Sequence, residues 1–429
     1  MLRSKKVITA SAFVAAGILG GGTVLTEGRA LPHSISEAEM RSALIEKHGQ
    51  DSSVYYDLSE LPSLGEDGNC QGLVGQFRCF GVFDGHAGWC TSNYVSQNIL
   101  TYLNESFARK ANGSMWPFSL LKGSDKELSN DEIDGAIKDA FLRLDHDILQ
   151  APLKAARAND YRAASSALPL AASGSCAMMS FYHPARNLLK VALVGDSRTI
   201  LGVQDSKGTW HAQNLTFDQT GATPSEIARI RAEHPQDNPN ILRGGRILGF
   251  QPTRSFGDAR TKYSKEQQEE LMGKFWWRRP SPLLKTPPYM TALPVISTVQ
   301  LDAKKPSFIV MGCDGLFEWL TNAQVVDLVG QWLDKNPVTS VKPYAGTIDQ
   351  SNDGSAKDFL RPQGLKWGPL KPIVKDENVS THLIRNALGG AEFEKVSMLM
   401  SIPQPTSRAY RDDITCTVVV FTPVMESKL

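Results

Sequence analysis

The sequence lacks any excess of charge: 46 Lys and Arg face 45 Asp and Glu, a formal net charge of +1. A chain so balanced has no overall field to draw in nucleic acid or an anionic membrane surface. Function must therefore be argued from local sites. Cysteine is scarce as well, with six residues at 70, 79, 90, 176, 313 and 416. None forms C-x-x-C and no His pair at zinc-finger spacing accompanies them, which excludes a zinc-finger framework. Cys79, Cys176, Cys313 and Cys416 sit among apolar or small residues and read as buried free thiols. That pattern fits a reducing compartment and no disulfide framework. No internal repeat is present. What the chain does have is 41% hydrophobic and 21% charged residues, which excludes wholesale disorder. Its 429 residues suit two or three average domains, or one large domain carrying insertions.

The long apolar run lies at the start. Arg3, Lys5 and Lys6 precede an apolar stretch over residues 7–25, interrupted by Gly17 and by Gly20, Gly21 and Gly22, and followed by Glu27 and Arg29. A basic region before a stretch just long enough to cross a bilayer has three readings: secretory signal, organelle presequence or membrane anchor. Six unpatterned cysteines suit the first poorly. The expectation is a mitochondrial targeting segment or membrane anchor over residues 1–30, with the protein in the matrix or on the inner membrane.

Beyond a polar stretch the chain becomes a series of short apolar runs that stop at acids. Phe80-Gly81-Val82-Phe83 stops at Asp84, Val191-Ala192-Leu193-Val194 at Gly195-Asp196, and Phe308-Ile309-Val310-Met311 at Gly312-Cys313-Asp314. The last run reverses the order, Asp412-Asp413 preceding Ile414–Phe421. Length and β-branched or aromatic content predict strands, and the alternation in the last run predicts a half-buried antiparallel strand. Between them Ile133, Ile137, Phe141, Leu144 and Ile148 recur at helical spacing, predicting a helix over 131–150. Thr223-Pro224-Ser225-Glu226 predicts a capped helix start, ending near His234. Val325, Val326, Leu328, Val329, Trp332 and Leu333 mark another helix, capped by Thr321 or Asn322. Residues 264–288 and 337–379 read as insertions. The Trp276-Trp277-Arg278-Arg279 cluster inside the first suits either a partner contact or a local core plug.

A single Asp after a strand means little, since Asp is a common turn residue. Four in one chain, each beside Gly or a second acid, is different. If these strand ends converge, the carboxylates crowd together, and their pKa values climb unless cations neutralise them. Hard oxygen donors favour Mg²⁺ or Mn²⁺, and two such ions form a clamp for in-line attack on phosphorus. The residues alone thus suggest a two-metal phosphohydrolase.

Gly81-Val82-Phe83-Asp84-Gly85-His86-Ala87-Gly88 resembles the hallmark of the type 2C metal-dependent protein serine/threonine phosphatases. The family's other motifs follow in order. They are Gly174-Ser175-Cys176-Ala177, Gly195-Asp196-Ser197-Arg198, Arg254-Ser255-Phe256-Gly257-Asp258, Cys313-Asp314-Gly315-Leu316-Phe317-Glu318 and Arg411-Asp412-Asp413-Ile414-Thr415. The segments 215–235, 248–264 and 287–292 are similar to the pyruvate dehydrogenase phosphatase branch. So are Thr381-His382-Leu383-Ile384-Arg385-Asn386-Ala387 and Tyr410-Arg411-Asp412-Asp413. That branch is mitochondrial.

The resemblance implies an α+β fold, a central antiparallel β-sandwich of two sheets flanked by helices on both faces (four layers, α/β/β/α). It implies one phosphatase domain over 31–425. By the family pattern Asp84 bridges two metals, Gly85 offers its carbonyl, and Asp314 and Asp412 complete the second metal's shell. Glu66 and Asp67 match the early acidic pair, Glu66 holding a metal-bound water, and Asp196 and Glu318 belong to a third, weaker metal. A hydroxide between the metals attacks phosphorus directly, and His86 protonates the departing oxygen. The implied partners are phosphoprotein substrates such as the pyruvate dehydrogenase complex.

One departure concerns the phosphate. Where many members carry an Arg before the early Glu, this chain has Pro62, and where the dehydrogenase-phosphatase branch resembles it in lacking that Arg an Asn is expected. Arg243, Arg246 and Arg254 are the candidate replacements. Two other classes of function fit the residues less well. A catalytically impaired relative acting as a binding module would have lost the bridging Asp, which is present. A two-metal nuclease would need a basic groove, and no Lys/Arg run near the motifs supplies one.

Overall fold

Runs of β-branched and aromatic residues too short for helices pair edge to edge, and here they do so antiparallel throughout. The computed structural model of the chain describes residues 43–50, 53–112, 127–275, 277–336 and 370–421, all within the unit Ile35–Leu429. The expected targeting segment at 1–30 lies outside the described residues, as do Trp276 and residues 337–369 of the second expected insertion. Among the described residues no helix is long and apolar enough to cross a membrane.

The main elements run in chain order as follows. Strands β1 (Ile45–Gln50), β2 (Val54–Leu61), β3 (Gly68–Val74) and β4 (Phe77–Phe83) lead to helices α1 (Cys90–Asn112), α2 (Asn130–Arg157) and α3 (Tyr161–Ala172). Then come β5 (Ala177–His183), β6 (Leu188–Val194), β7 (Arg198–Gln204), β8 (Trp210–Asn214), α4 (Pro224–Glu233) and α5 (Lys265–Lys274). The chain closes with β9 (Val295–Gln300), β10 (Ser307–Gly312), α6 (Asn322–Lys335), α7 (Val379–Leu388), α8 (Phe393–Ser401) and β11 (Ile414–Phe421).

The two large sheets among the described residues are ordered β1-β2-β11-β10-β7-β8 and β9-β6-β5-β4-β3. Their inner faces share one core, in which Phe80, Val82, Met178 and Val191 of one sheet meet Leu201, Ile309, Met311 and Val419 of the other. The outer face of the first sheet packs Phe308, Val310, Val418 and Val420 on Val325, Val329, Trp332 and Leu383 of α6 and α7. The outer face of the second packs Met179, Phe181 and Ala192 on Val95, Ile99, Ile137 and Phe141 of α1 and α2. This is the expected helix–sheet–sheet–helix sandwich. A satellite core of Ile230, Ile241, Ile247, Leu284 and Tyr289 lies under α4.

The structure corrects three expectations. Every residue of β11 is buried, so it is not half-buried: in a four-layer sandwich the outer face of a central strand is covered by helices. Helix α2 runs on to Arg157 across Pro152, because Leu153 and Ala156 still bury against the core. The segment 264–288 carries a helix, since Ser264 and Gln267 form a reciprocal capping box that starts α5, which buries Leu271. Thr223 precedes α4 without capping it, its hydroxyl donating instead to the Asp218 carbonyl at 2.6 Å. Other local features are as follows. Thr321 caps α6 with Gln324, all six cysteines are free, and Trp277 packs against Tyr263 at 6.1 Å as a local plug.

Candidate metal centre

Antiparallel pairing decides where the acids meet. Strand β5 lies between β4 and β6, so the C-terminal ends of β4 and β6 fall on one edge. Asp84 follows the first and Gly195-Asp196 the second. In the other sheet Gly312 at the end of β10 pairs with Cys416 near the start of β11, bringing Asp314 and Asp412 together. Asp314 opens a single helical turn, and the Glu318 N–H donates to the Asp314 carbonyl at 2.8 Å, which stacks Glu318 over it.

Among the described residues two groups of donor atoms emerge: Asp84, Cys176 and Asp196, and Asp314, Glu318 and Asp412, each with its atoms within 4.8 Å of one another. Asp84 and Asp314 join the groups through a hydrogen bond between their carboxyls. Asp196, Asp314 and Glu318 line an open cleft with Arg198, Asp218, Gln251 and Phe317. Glu66 and Asp67 belong to neither group. The Glu66 carboxylate accepts from the Gly88 N–H at 2.6 Å, while Asp67 is near enough to Asp84 to raise its pKa.

Burial and repulsion set the electrostatics. Burial lifts the Asp84 carboxyl well above the usual range, and Asp314, Asp67 and Asp196 lift it further. Asp67 is raised in the same way, by burial and then by Asp413, and its Oδ2 is buried without a hydrogen-bond partner. Asp196 is pushed up to about 6 and Glu318 to about 7, each by burial first and Asp314 second. Asp314 is raised by burial, against the nearby positive charge of Arg408. Such a set holds either protons or cations, and its oxygen donors fit small hard divalent ions.

A stability profile follows from these shifts. An acid whose folded pKa lies above its unfolded value stabilises the fold fully only below the unfolded pKa. That contribution is lost as pH rises through the folded value. With Asp196 near 6 and Glu318 near 7, the metal-free protein is expected to lose thermal stability between roughly pH 4 and pH 7. Saturating Mn²⁺ should flatten the curve. Melting scans with and without chelator check this, and a metal-free curve that is flat or rising across that window refutes it.

His86 is held beside the cluster. Three short strands, Gly85–His86, Gly174–Ser175 and Phe256–Gly257, form a ladder. Across it His86 Nε2 meets Asp258 Oδ2 at 2.7 Å. A Cβ at Gly174 would collide with both atoms, so only glycine admits the pair. Burial by itself lowers the imidazole pKa, but the Asp258 carboxylate outweighs it and the net shift is upward. Ser255 donates to Asp258 at 2.6 Å. The Gly257 N–H and Lys262 both bond the buried Asp145, which fixes the turn carrying Asp258.

Several contributors escaped the sequence reading. Cys176 donates to Asp196 at 3.2 Å, although its surroundings marked it only as a buried thiol. Asp258 and Asp413 stood in quoted motifs without a role. The Asp413 carboxylate accepts from the backbone N–H groups of Ser63, Leu64, Gly65 and Glu66, and so shapes the loop bearing Glu66 and Asp67. Of the arginine candidates, Arg254 is locked on Glu226 and the Leu293 carbonyl. Arg243 and Arg246 lie exposed on the hairpin Leu242–Arg243/Arg246–Ile247, where Arg246 bonds Gly249 and Gln251. The Pro62 carbonyl is taken by Arg411.

A family model described as protein phosphatase 2C matches residues 46–345. The chain is 40% identical over 380 residues to the mitochondrial pyruvate dehydrogenase (acetyl-transferring) phosphatase 1 of Saccharomyces cerevisiae. That match covers 84% of this chain and 64% of that protein, so the chain spans less than two thirds of its length. It is 34% identical over 412 residues to a protein phosphatase 2C homologue of Schizosaccharomyces pombe, covering 92% of this chain and 86% of the relative. The human mitochondrial pyruvate dehydrogenase phosphatase 1 is 29% identical over 429 residues, covering 85% and 77%. Among solved structures, a serine-threonine phosphatase 2C from Toxoplasma gondii matches with a TM-score of 0.51 at 16% identity, covering 88% of this chain and 99% of that one. That likeness bears on the fold alone.

Proposed function

The chain belongs to the protein phosphatase 2C family, and on that premise we propose that it removes phosphate from phosphoserine and phosphothreonine in mitochondrial proteins, the pyruvate dehydrogenase complex foremost. The observation that carries the proposal is the convergence of Asp84, Asp196, Asp314, Glu318 and Asp412 from the ends of strands in both sheets. The family is metal-dependent, and Mg²⁺ or Mn²⁺ is the cofactor we assign. Asp84, the Gly85 carbonyl, Asp314 and Asp412 would hold two ions, with Glu66 and Asp67 orienting their water. Asp196 and Glu318 would hold a third. Bound there, the ions supply Lewis-acid activation of water and a clamp for phosphoryl oxygens.

The chain's own residues do the rest. The carboxylates gather charge that only a cation relieves, and the sandwich holds them in place before substrate arrives. His86, whose affinity for a proton the Asp258 carboxylate raises, stands ready to give a proton to the leaving serine or threonine oxygen. The mitochondrial names of the relatives and the basic, apolar start of the sequence support the location, and residues 1–30 are assigned as its targeting segment or anchor. The alternative, an impaired relative, finds no support in a chain that keeps every one of these acids.

Phosphate release from a phosphothreonine peptide with and without Mn²⁺ tests the activity, and phosphorylated pyruvate dehydrogenase against unrelated phosphoproteins tests the substrate. The proton donor has its own signature. His86→Gln is expected to slow release from phosphothreonine by about a hundredfold or more. On p-nitrophenyl phosphate, whose leaving group needs no proton, the loss should stay below about tenfold. Equal losses on the two substrates would remove His86 from this role.

A further inference from the structure

A phosphate monoester entering a cleft lined by carboxylates needs a cation facing its outer oxygens, and Pro62 offers none. The arginines near the cleft are mostly committed. Arg198 is nearly buried between Asp218 and Asn322, and Arg254 is locked on Glu226. Arg411 is buried, its guanidinium spread over the carbonyls of Leu399, Leu61 and Pro62.

Arg408 differs. Its side chain is 47% exposed and forms a single ion pair, one turn along the chain, with the Asp412 carboxylate. It rides on the short helical turn Thr406–Ala409, which is firmly seated. The Ser407 hydroxyl donates to the Ser63 carbonyl at 2.8 Å, and the Arg411 N–H closes on the Ser407 carbonyl at 3.0 Å. The same Ser63 belongs to the loop that Asp413 organises beneath Glu66 and Asp67. A guanidinium is thereby delivered to the mouth of the cluster on a rigid base, with an exposed side chain free to turn.

We propose that Arg408 is the phosphate-gripping residue of this enzyme, taking the place left by Pro62. The inference rests on the phosphatase reading. The guanidinium pairs with Asp412; were Asp412 to hold a divalent ion, the planar fork would be released to two phosphoryl oxygens. Lysine at 408 would keep the charge and lose the fork.

The test is calorimetric binding of inorganic phosphate to the full chain at a Mn²⁺ concentration that saturates the wild type, with the KM for a phosphothreonine peptide measured in parallel. Arg408→Gln is expected to weaken phosphate binding by about tenfold or more and to raise KM in step. Arg408→Lys should recover part of both, with an unchanged melting temperature. Phosphate affinity of Arg408→Gln within about twofold of wild type overturns the proposal. So does a deficit that disappears when more Mn²⁺ is added, since Arg408 would then act only through Asp412. An equivalent loss in Arg246→Gln with Arg408→Gln unaffected transfers the role to the hairpin. A wild-type protein that binds phosphate through Arg408 yet releases none from the peptide would sink the phosphatase reading and leave this contact standing.

Discussion

Asp84→Asn is expected to lower Mn²⁺-dependent phosphate release on the order of a thousandfold, about 4 kcal/mol of lost transition-state stabilisation. The same substitution should raise the melting temperature of the metal-free protein. Both effects come from one feature. Asp84 sits where burial and three neighbouring carboxylates, Asp314, Asp67 and Asp196, all disfavour its charge. A neutral amide of the same shape relieves that repulsion and forfeits the charge a bridging ligand must supply. Activity assays and chelated melting scans read the two separately. A variant keeping more than about a tenth of wild-type activity would show that Asp84 does not bridge. One that melts lower in chelator would show that the cluster's repulsion is not what burdens the fold.

Asp413→Ala is expected to cost about 3–5 kcal/mol of unfolding free energy. The buried Asp413 carboxylate accepts from Ser63, Leu64, Gly65 and Glu66, four consecutive backbone donors. No alanine can replace that acceptor, and a donor left unpaired in the interior bears its full desolvation cost. The damage should extend to function, because the loop carries Glu66 and Asp67; the Mn²⁺ concentration for half-maximal activity should rise. Denaturant melts and metal titrations check both parts. A stability loss below about 1 kcal/mol would mean that water or a neighbouring group takes over the donors.

Much of this architecture was legible in the chain. Asp84, Asp196 and Asp314 announced themselves because a buried strand must end in a polar turn, and an acid placed there repeatedly is a pattern local sequence can display. Helices α4 and α6 began where a turn residue, Pro or a capping side chain ends an extended segment. Helix α5 was missed for a physical reason. It buries little more than Gln268 and Leu271, so its periodicity is faint and only the Ser264/Gln267 cap betrays it. The full burial of β11 was also misread, since alternation along a strand says which residues face the other sheet but not whether helices cover the outer face.

The supporting residues were beyond reach for a different reason. Asp413 bonds Ser63 across 350 positions of sequence, and His86 meets Asp258 across 172. Neither distance leaves a local mark. Arg408 looks like any exposed arginine until the turn at 406–409 sets it over Asp412. The sequence by itself determined the donor types, their place at strand ends, the order of motifs and hence the family, because these depend on composition and near-neighbour pattern. Only the tertiary structure decided which acids come within reach of one another, which carboxylate pairs with the histidine, and which arginine stands exposed beside Asp412. Those depend on strand register and on loops packed against distant loops, where a few ångströms separate a ligand from a bystander.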